Sequence, residues 1–378
     1  MLGPMNASLE GLENWEVLQR FLPKGWEDQA RMSGALRRTR GVKDPAALLR
    51  VLMIHLAQGC SLAETAVRAQ QAGLANMSSV ALFKRLRASE SWLLWLAQQL
   101  GGAGQGIWAS PQRIVRAIDA TVVSEPGSTG TDWRLHYGLR LADLRCDFFE
   151  LTDVRGGESW KRVPVQPGEI LLGDRVYGRP SGIAHVIKAK ADVVVRFTPR
   201  LLPLVDGQER VCDPLRQARS LRVGKAGSWP TQVQHEGQLF PGRLLAVRRS
   251  AEATRREQKR LKREASRDGR VISERSWKAA EYVLIWTSLP DSFSTELALE
   301  YYRRRWQIEL AFKRMKSLAG LGHLPKKDPT SARAWLYGKL FVSLLAEHMI
   351  EAARALSPWG YDLPGTAQSL ARNRVPAA

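Results

Sequence analysis

Residues 301–318 read YYRRRWQIELAFKRMKSL. Strong helix formers dominate, and at about 100° per residue Tyr302, Arg305, Glu309 and Lys316 fall within roughly a 60° arc of one helical face. One carboxylate therefore shares a stripe with two cations and a phenol. The apolar residues Trp306, Ile308, Leu310, Phe312, Met315 and Leu318 are spread around the other faces, the pattern of a helix largely buried among neighbours. From spacing alone, Glu309 pairs with Arg305 or Lys313 at helical distance.

The gaps themselves carry more. Tyr302-x2-Arg305-x3-Glu309-x6-Lys316 resembles, position for position, the Y-R-E-K signature of the DDE insertion-sequence transposases of the cut-and-paste type. The resemblance implies that Glu309 is the third metal-binding carboxylate of a ribonuclease-H-like site. It also implies that Tyr302, Arg305 and Lys316 hold phosphates at the transposon end, and that two aspartates lie upstream at strand ends.

Whole-chain properties fit a polyanion partner. At 378 residues the chain has length for two or three domains. Lys plus Arg exceed Asp plus Glu by 57 to 37, a net charge of +20, which concentrates nucleic acid around the protein. Thirteen Trp and a 44% apolar content indicate an ordered globule rather than a basic tail. Cys60, Cys146 and Cys212 stand far apart with no CxxC, so neither zinc nor a disulfide framework is indicated, in keeping with a reducing cytoplasm. No apolar run reaches about 18 residues and no secretory signal opens the chain. A bacterial cytoplasmic protein staying with the nucleoid, with no membrane partner, is expected.

Residues 1–44 give few signals beyond an amphipathic pattern around Trp15, Leu18 and Phe21. Residues 45–100 are rich in helix formers and read as a helical bundle. Within it Ser61 caps one helix with Glu64 completing a capping box, and residues 73–77 turn the chain. Ser78 then caps a second helix carrying Lys84, Arg85 and Arg87, a helix-turn-helix pattern with a basic second helix. Plain packing explains such a pattern equally well, and the overall charge favours DNA contact. The run GGAGQG at 101–106 reads as a linker.

Residues 113–123, RIVRAIDATVV, form a β-branched run holding Asp119, an acid that is costly in an apolar strand unless paired or metal-bound. Residues 133–141 and 147–154 read as paired strands. Residues 167–177, PGEILLGDRVY, place Asp174 at the end of a short buried strand, with a helix at 178–188. This resembles the family's second motif, D-R-G-Y, with Val176 in place of Gly, and implies DNA contacts for Arg175 and Tyr177. The upstream GGESW at 156–160 also resembles the family's pattern, without an evident chemical task.

About 135 residues separate Asp174 from Glu309, more than one crossover needs. Strands at 193–197, 208–211, 231–235 and 243–247 predict a β-rich insertion, followed by the basic segment 254–270, which reads as a solvated helix face or a phosphate-tracking arm. Residues 281–289 rejoin the main sheet, and Ser292 or Ser294 caps the long helix. The family implies an aromatic residue here that stacks on a flipped base. Aligned on Thr287, that position holds Val283, flanked by Tyr282 and Trp286, and Trp286 reads as core. Residues 331–356 form an apolar helix expected to pack on the catalytic domain.

The expected organisation is α/β, a ribonuclease-H-like core interrupted by a β-rich insertion and preceded by an all-helical domain. Its boundaries are 1–105 helical and DNA-binding, 106–190 first part of the core, 191–275 insertion, 276–325 second part of the core, and 326–378 a helical C-terminal segment. Asp119, Asp174 and Glu309 form the expected catalytic and metal-binding set. Two Mg²⁺ ions, with Mn²⁺ able to substitute, suit such hard oxygen donors and an in-line phosphodiester displacement. Crowded carboxylates raise one another's pKa, so the metal-free site is expected to be loosened by repulsion. The resemblance implies terminal repeats and target DNA as partners, a homodimer in the synaptic complex, and a hairpin intermediate. Two competing readings are a ribonuclease-H-like nuclease, which needs no such row of phosphate-binding residues, and an inactive DNA-binding protein derived from a transposase.

Overall fold

A computed structural model gives the fold of residues 15–101, 113–322, 324–325 and 327–355. Among them, ten strands form one sheet in the order β3-β2-β1-β4-β5-β10-β9-β8-β6-β7. β1 (Val115–Val123), β2 (Trp133–Arg140) and β3 (Arg145–Asp153) make an antiparallel meander. β4 (Ile170–Gly173) and β5 (Asp192–Arg196) then run parallel to β1. The Pro180–Lys188 helix makes the crossover between them. This half is the ribonuclease-H-like arrangement expected of the sequence.

The other strands are β6 (Leu204–Val205), β7 (Val211–Cys212), β8 (Ala226–His235), β9 (Gln238–Arg248) and β10 (Tyr282–Thr287). β10 pairs with both β5 and β9, so the insertion extends the catalytic sheet. The β8–β9 hairpin closes on Glu236 and Gly237 at φ 50° and 73°, the left-handed pair that a tight two-residue turn requires. The strand expected at 208–211 is a turn, because the Asp206 carboxylate accepts from the N–H groups of Gln208 (2.8 Å) and Arg210 (3.0 Å). Only Val211 keeps a ladder partner, Val205. Trp286 is core, as read.

Alternation along the strands sorts side chains between two faces. Ile118, Leu171, Val193 and Val195 join one core with Trp160 and the Pro180–Lys188 helix. Ala117 faces the opposite side with Ile308 and Phe312, while Ile170, Leu172 and Val194 pack against Ala298 and Leu299 on that side too.

The helical bundle comprises Trp15–Gln19, Trp26–Met32, Pro45–Leu56, Leu62–Gln71, Ser79–Ala88 and Glu90–Gly101. Ser61 and Ser78 cap their helices as expected, accepting from Glu64 N (3.1 Å) and Ala81 N (3.3 Å). The Glu64 carboxylate binds Arg68 at 2.8 Å rather than closing the capping box. Of the expected linker, only Gly101 is described, and it ends a helix.

The Pro329–Ala355 helix shares a single core with this bundle and with β1–β3. Arg333 grips Glu90 at 2.6 Å, and a Cβ added to Gly338 would stand 2.5 Å from Leu56 Cδ1. The C-terminal helix therefore packs on the bundle as well as on the catalytic domain. No helix among the described residues is long and apolar enough to cross a membrane.

Two buried polar groups brace the meander. Arg116 on β1 binds Asp147 of β3 (2.7 Å) and Glu169 just before β4 (3.0 Å), and donates to Pro164 O (2.7 Å). Gly138 makes room for this network, since a Cβ there would lie 2.6 Å from Asp147 Oδ1. An Arg116→Ala variant strands two buried carboxylates and should lose roughly 3–5 kcal/mol in denaturant unfolding.

His136, 1% exposed, faces Thr152 Oγ1 at 3.0 Å. Burial, then the nearby Arg162 and Arg134, push its pKa down to about 4. The unfolded chain therefore binds the proton that the folded chain refuses between about pH 6.5 and 4. Stability should fall as pH drops through that window, by an amount on the order of 3 kcal/mol. Thermal melts of wild type and His136→Gln at pH 7.5 and 4.5 check this, the variant showing the smaller drop.

Candidate active site

Asp119 sits mid-strand on β1, where a strand end was expected, because the run stays paired with β2 through Val123. Val115, Arg116 and Ala117 pair with Ile170, Leu171 and Leu172 of the parallel β4, so continuing two residues sets Asp174 level with Asp119 on neighbouring strands about 4.8 Å apart. By alternation both carboxylates belong to the face that carries Ala117 and Leu172. Asp119 Oδ1 accepts from Ala120 N (2.8 Å). Asp174 caps the 3₁₀ turn Arg175–Tyr177, its Oδ1 accepting from Val176 N (2.9 Å). Burial and then the Asp174 charge push the Asp119 carboxyl up to about 7, against the pull of Arg305. Glu158 is raised by the same two causes and lies 3.6 Å from Arg134.

The third carboxylate arrives on the same face. Residues 301–318 form two helices rather than one, Thr295–Arg304 and Trp306–Ser317, meeting at Arg305. The Arg305 N–H is shared between Tyr301 O (3.3 Å) and Tyr302 O (3.2 Å), and Ile308 N reaches Arg305 O at 3.1 Å. This is a locally tightened turn. Ser294 caps the first helix as expected, accepting from Leu297 N at 3.1 Å. The second helix buries only one side, Ile308, Ala311, Phe312 and Met315, with Phe312 edge-on to Tyr137 at 5.8 Å. The expectation of a helix largely buried among neighbours is corrected at Trp306, which is 55% exposed, and at Leu318, also exposed.

Arg305 occupies the centre. Its guanidinium binds Asp119 Oδ2 at 3.0 Å and also pairs with Glu309, and its side chain is 12% exposed. The helical pair predicted from spacing forms, and Asp119 is its third member. Hard carboxylate oxygens suit a divalent ion, and Asp119, raised first by burial and then by the Asp174 charge, is a group whose charge such an ion would stabilise. Among the described residues, no three acidic, His or Cys side chains stand close enough to grip an ion as placed. The guanidinium instead supplies the positive charge between Asp119 and Glu309. That charge opposes the repulsion between Asp119 and Asp174 without cancelling it, since the Asp119 carboxyl stays raised.

Residues 155–345 match the family described as Transposase DDE domain. Over 356 residues the chain is 35% identical to the InsL protein of insertion sequence element IS186A of Escherichia coli (strain K12), covering 92% of this chain and 96% of that protein. Identity to the transposase for insertion sequence element IS421 of Escherichia coli is 35% over 357 residues, with the same coverage. The chain belongs to the DDE insertion-sequence transposases. The matched segment contains Asp174 and Glu309. The strand bearing Asp119 precedes it and is joined to it through the sheet.

Around the carboxylates of this transposase, the other predicted residues are placed unevenly. Tyr302 is half-buried, with Arg305 over its ring at 5.7 Å, and Lys316 is exposed on the next helix. Arg175 is tied to Glu257. Tyr177 is 2% exposed, its ring packed on Trp160 at 4.7 Å, so its phenol belongs to the core instead of a DNA-facing surface. Lys84 is exposed, whereas Arg87 lies 3.4 Å from Asp328. Arg85 donates to the carbonyls of Arg38 (2.6 Å), Ala35 and Arg40 (both 3.4 Å), pinning a loop and leaving the basic face to its neighbours.

The GGESW stretch now has a structural task. Trp160 donates to Tyr177 O at 2.9 Å, and a Cβ on Gly173 or Gly182 would lie 2.6 or 2.7 Å from its ring. The indole thus wedges the turn that follows Asp174. Gly173 and Gly182, which make room for the ring, lie well beyond GGESW in the chain, so no local pattern marked this contact.

Proposed function

We propose that this transposase cleaves the ends of its own insertion sequence and joins them to target DNA by phosphodiester transfer at Asp119, Asp174 and Glu309. The observation that supports the reading is Arg305 bound between Asp119 of β1 and Glu309 of the Trp306–Ser317 helix, with Asp174 following the parallel strand β4 beside Asp119. Two divalent ions held by these carboxylates, Mg²⁺ or Mn²⁺, would neutralise the attacked phosphodiester and activate the attacking oxygen.

In this reading the protein's own groups bind and orient. Arg305 holds the carboxylates in the free enzyme and turns to a DNA phosphate when cations take its place. Tyr302 and Lys316 flank it along the same backbone, contacts that position the strand without reading its sequence. The exposed Lys84 supplies charge from the amino-terminal bundle, where recognition of the terminal repeats is assigned. End nicking, attack of the freed 3′-hydroxyl on the opposite strand, opening of the hairpin by water and strand transfer are the same displacement with different nucleophiles, so one site serves all four. Trp306 is the exposed aromatic beside Arg305, a surface on which an unpaired base can stack. Two ends require two copies, so the synaptic complex is assigned as a homodimer acting in the bacterial cytoplasm.

The test is incubation with a duplex bearing the element's ends in Mg²⁺, read on native and denaturing gels. Released ends and a hairpin product are expected. Binding without cleavage in either Mg²⁺ or Mn²⁺ would establish a non-catalytic DNA-binding protein instead.

A further inference from the structure

Beside Asp174 lies a cavity of about 890 Å³ between the end of β5, the Ala251–Arg267 helix and the Glu274–Ala279 helix. It begins at Arg175, the residue after Asp174, and its wall includes Arg179, Arg196 and Arg200. We propose that this cavity is a second phosphate site for the DNA strand, and that Glu257 fills it in the free protein as an internal counter-anion. The inference rests on the transposase reading, which names DNA as the polyanion.

Three guanidiniums converge on Glu257. Arg196 binds it at 3.1 Å, Arg260 at 2.8 Å, and Arg175 also pairs with it. The carboxylate is only 13% exposed. Glu257, with Glu264 sharing only Arg260, thus faces three positive charges in a half-buried place, an imbalance that a further anion relieves. The strain shows in the arginines: burial and then Arg175 lower the proton affinity of Arg196, and burial and then Arg196 bring Arg249 down to about 10. Glu264, the other acid on the wall, is already held by Arg260 at 2.6 Å. Arg179 and Arg200 are exposed at the rim, and no ion pair is formed by either among the described residues.

A carboxylate and a phosphodiester carry the same charge and both accept paired N–H groups from guanidinium. Replacing Glu257 by a backbone phosphate therefore keeps the arginines satisfied, while Glu257 moves out on a surface helix. The cavity's size is in the range of ligand sites, about 300–1,000 Å³. Arg175, which lines the cavity, adjoins Asp174 in the chain, so a strand whose scissile phosphate lies at the carboxylates would run on past Arg175 toward it.

The test measures anisotropy of a labelled single strand and of the same sequence as a duplex, across a salt series, with the full-length protein. Glu257→Gln is expected to tighten binding about three- to tenfold and to steepen the dependence of log K on log salt by about 0.7–0.9 for the phosphate gained. Arg179→Ala combined with Arg200→Ala, both at the exposed rim, is expected to weaken binding by a similar factor and to flatten the slope. Unchanged affinity and slope in both variants overturn the proposal. So does a response confined to inorganic pyrophosphate as competitor, which would make the site one for a free phosphate. If wild type cuts its ends while these variants bind as wild type does, the second site alone fails; if wild type neither binds nor cuts DNA, the transposase reading fails with it.

Discussion

Asp119→Ala, Asp174→Ala and Glu309→Ala should each lose end cleavage by three orders of magnitude or more, equivalent to at least about 4 kcal/mol of transition-state stabilisation. The carboxylates come from three separate elements, so none can move to cover for another. Asp119 is fixed by its strand register, Asp174 by its cap on the Arg175–Tyr177 turn, and Glu309 by a helix anchored through Ile308, Phe312 and Met315. Retained binding of the terminal duplex separates lost chemistry from lost folding, because the proposed phosphate contacts stay in place. Single-turnover cleavage with wild type and the three variants is the decisive comparison. A variant that cuts at a tenth of the wild-type rate or better removes its residue from the ligand set.

Removing Arg305 should give the second largest effect, with two opposite readouts. In the metal-free protein, Arg305→Ala leaves Asp119 largely buried beside Asp174 with no cation at its Oδ2. Unfolding stability should fall by roughly 1–3 kcal/mol, with Glu309 contributing little because it is more open to water. Adding Mg²⁺ or Mn²⁺ should then raise the melting temperature of the variant by more than that of wild type, since the incoming cation has no guanidinium to displace. Cleavage should nevertheless stay depressed, as the strand loses a phosphate contact. Arg305→Lys should not restore wild-type behaviour, because one ammonium cannot fork between two carboxylates. An equal metal-induced shift in wild type and variant would show that Arg305 does not stand in for the cation.

The candidate carboxylates stood out in the chain because an acid within an apolar strand, an acid just after one and an acid on a cationic helical stripe each leave a mark in spacing. The serine caps at Ser61, Ser78 and Ser294 were equally local, each one residue satisfying one N–H a few positions on. What escaped was decided at long range. Nothing in periodicity says that β10 pairs with β5 on one side and β9 on the other, which merges the insertion with the catalytic sheet. The helix breaks at Arg305, the residue whose guanidinium reaches Asp119, a partner 186 residues away. Trp306 reads as core by composition, yet the burial of Ile308 and Phe312 turns it outward. Tyr177 went the other way, drawn inward by Trp160.

The Pro329–Ala355 helix sets the order in which the protein can be finished. Its Arg333 meets Glu90 across 243 residues of chain, and at a synthesis rate of about 5–20 residues per second this is a wait on the order of ten to fifty seconds. Until that helix leaves the ribosome, the amino-terminal bundle lacks a wall of its own core. A polypeptide stopped before residue 329 would carry all three carboxylates and an unfinished bundle. Such fragments should be cleared as misfolded chains rather than persist as competitors for the element's ends.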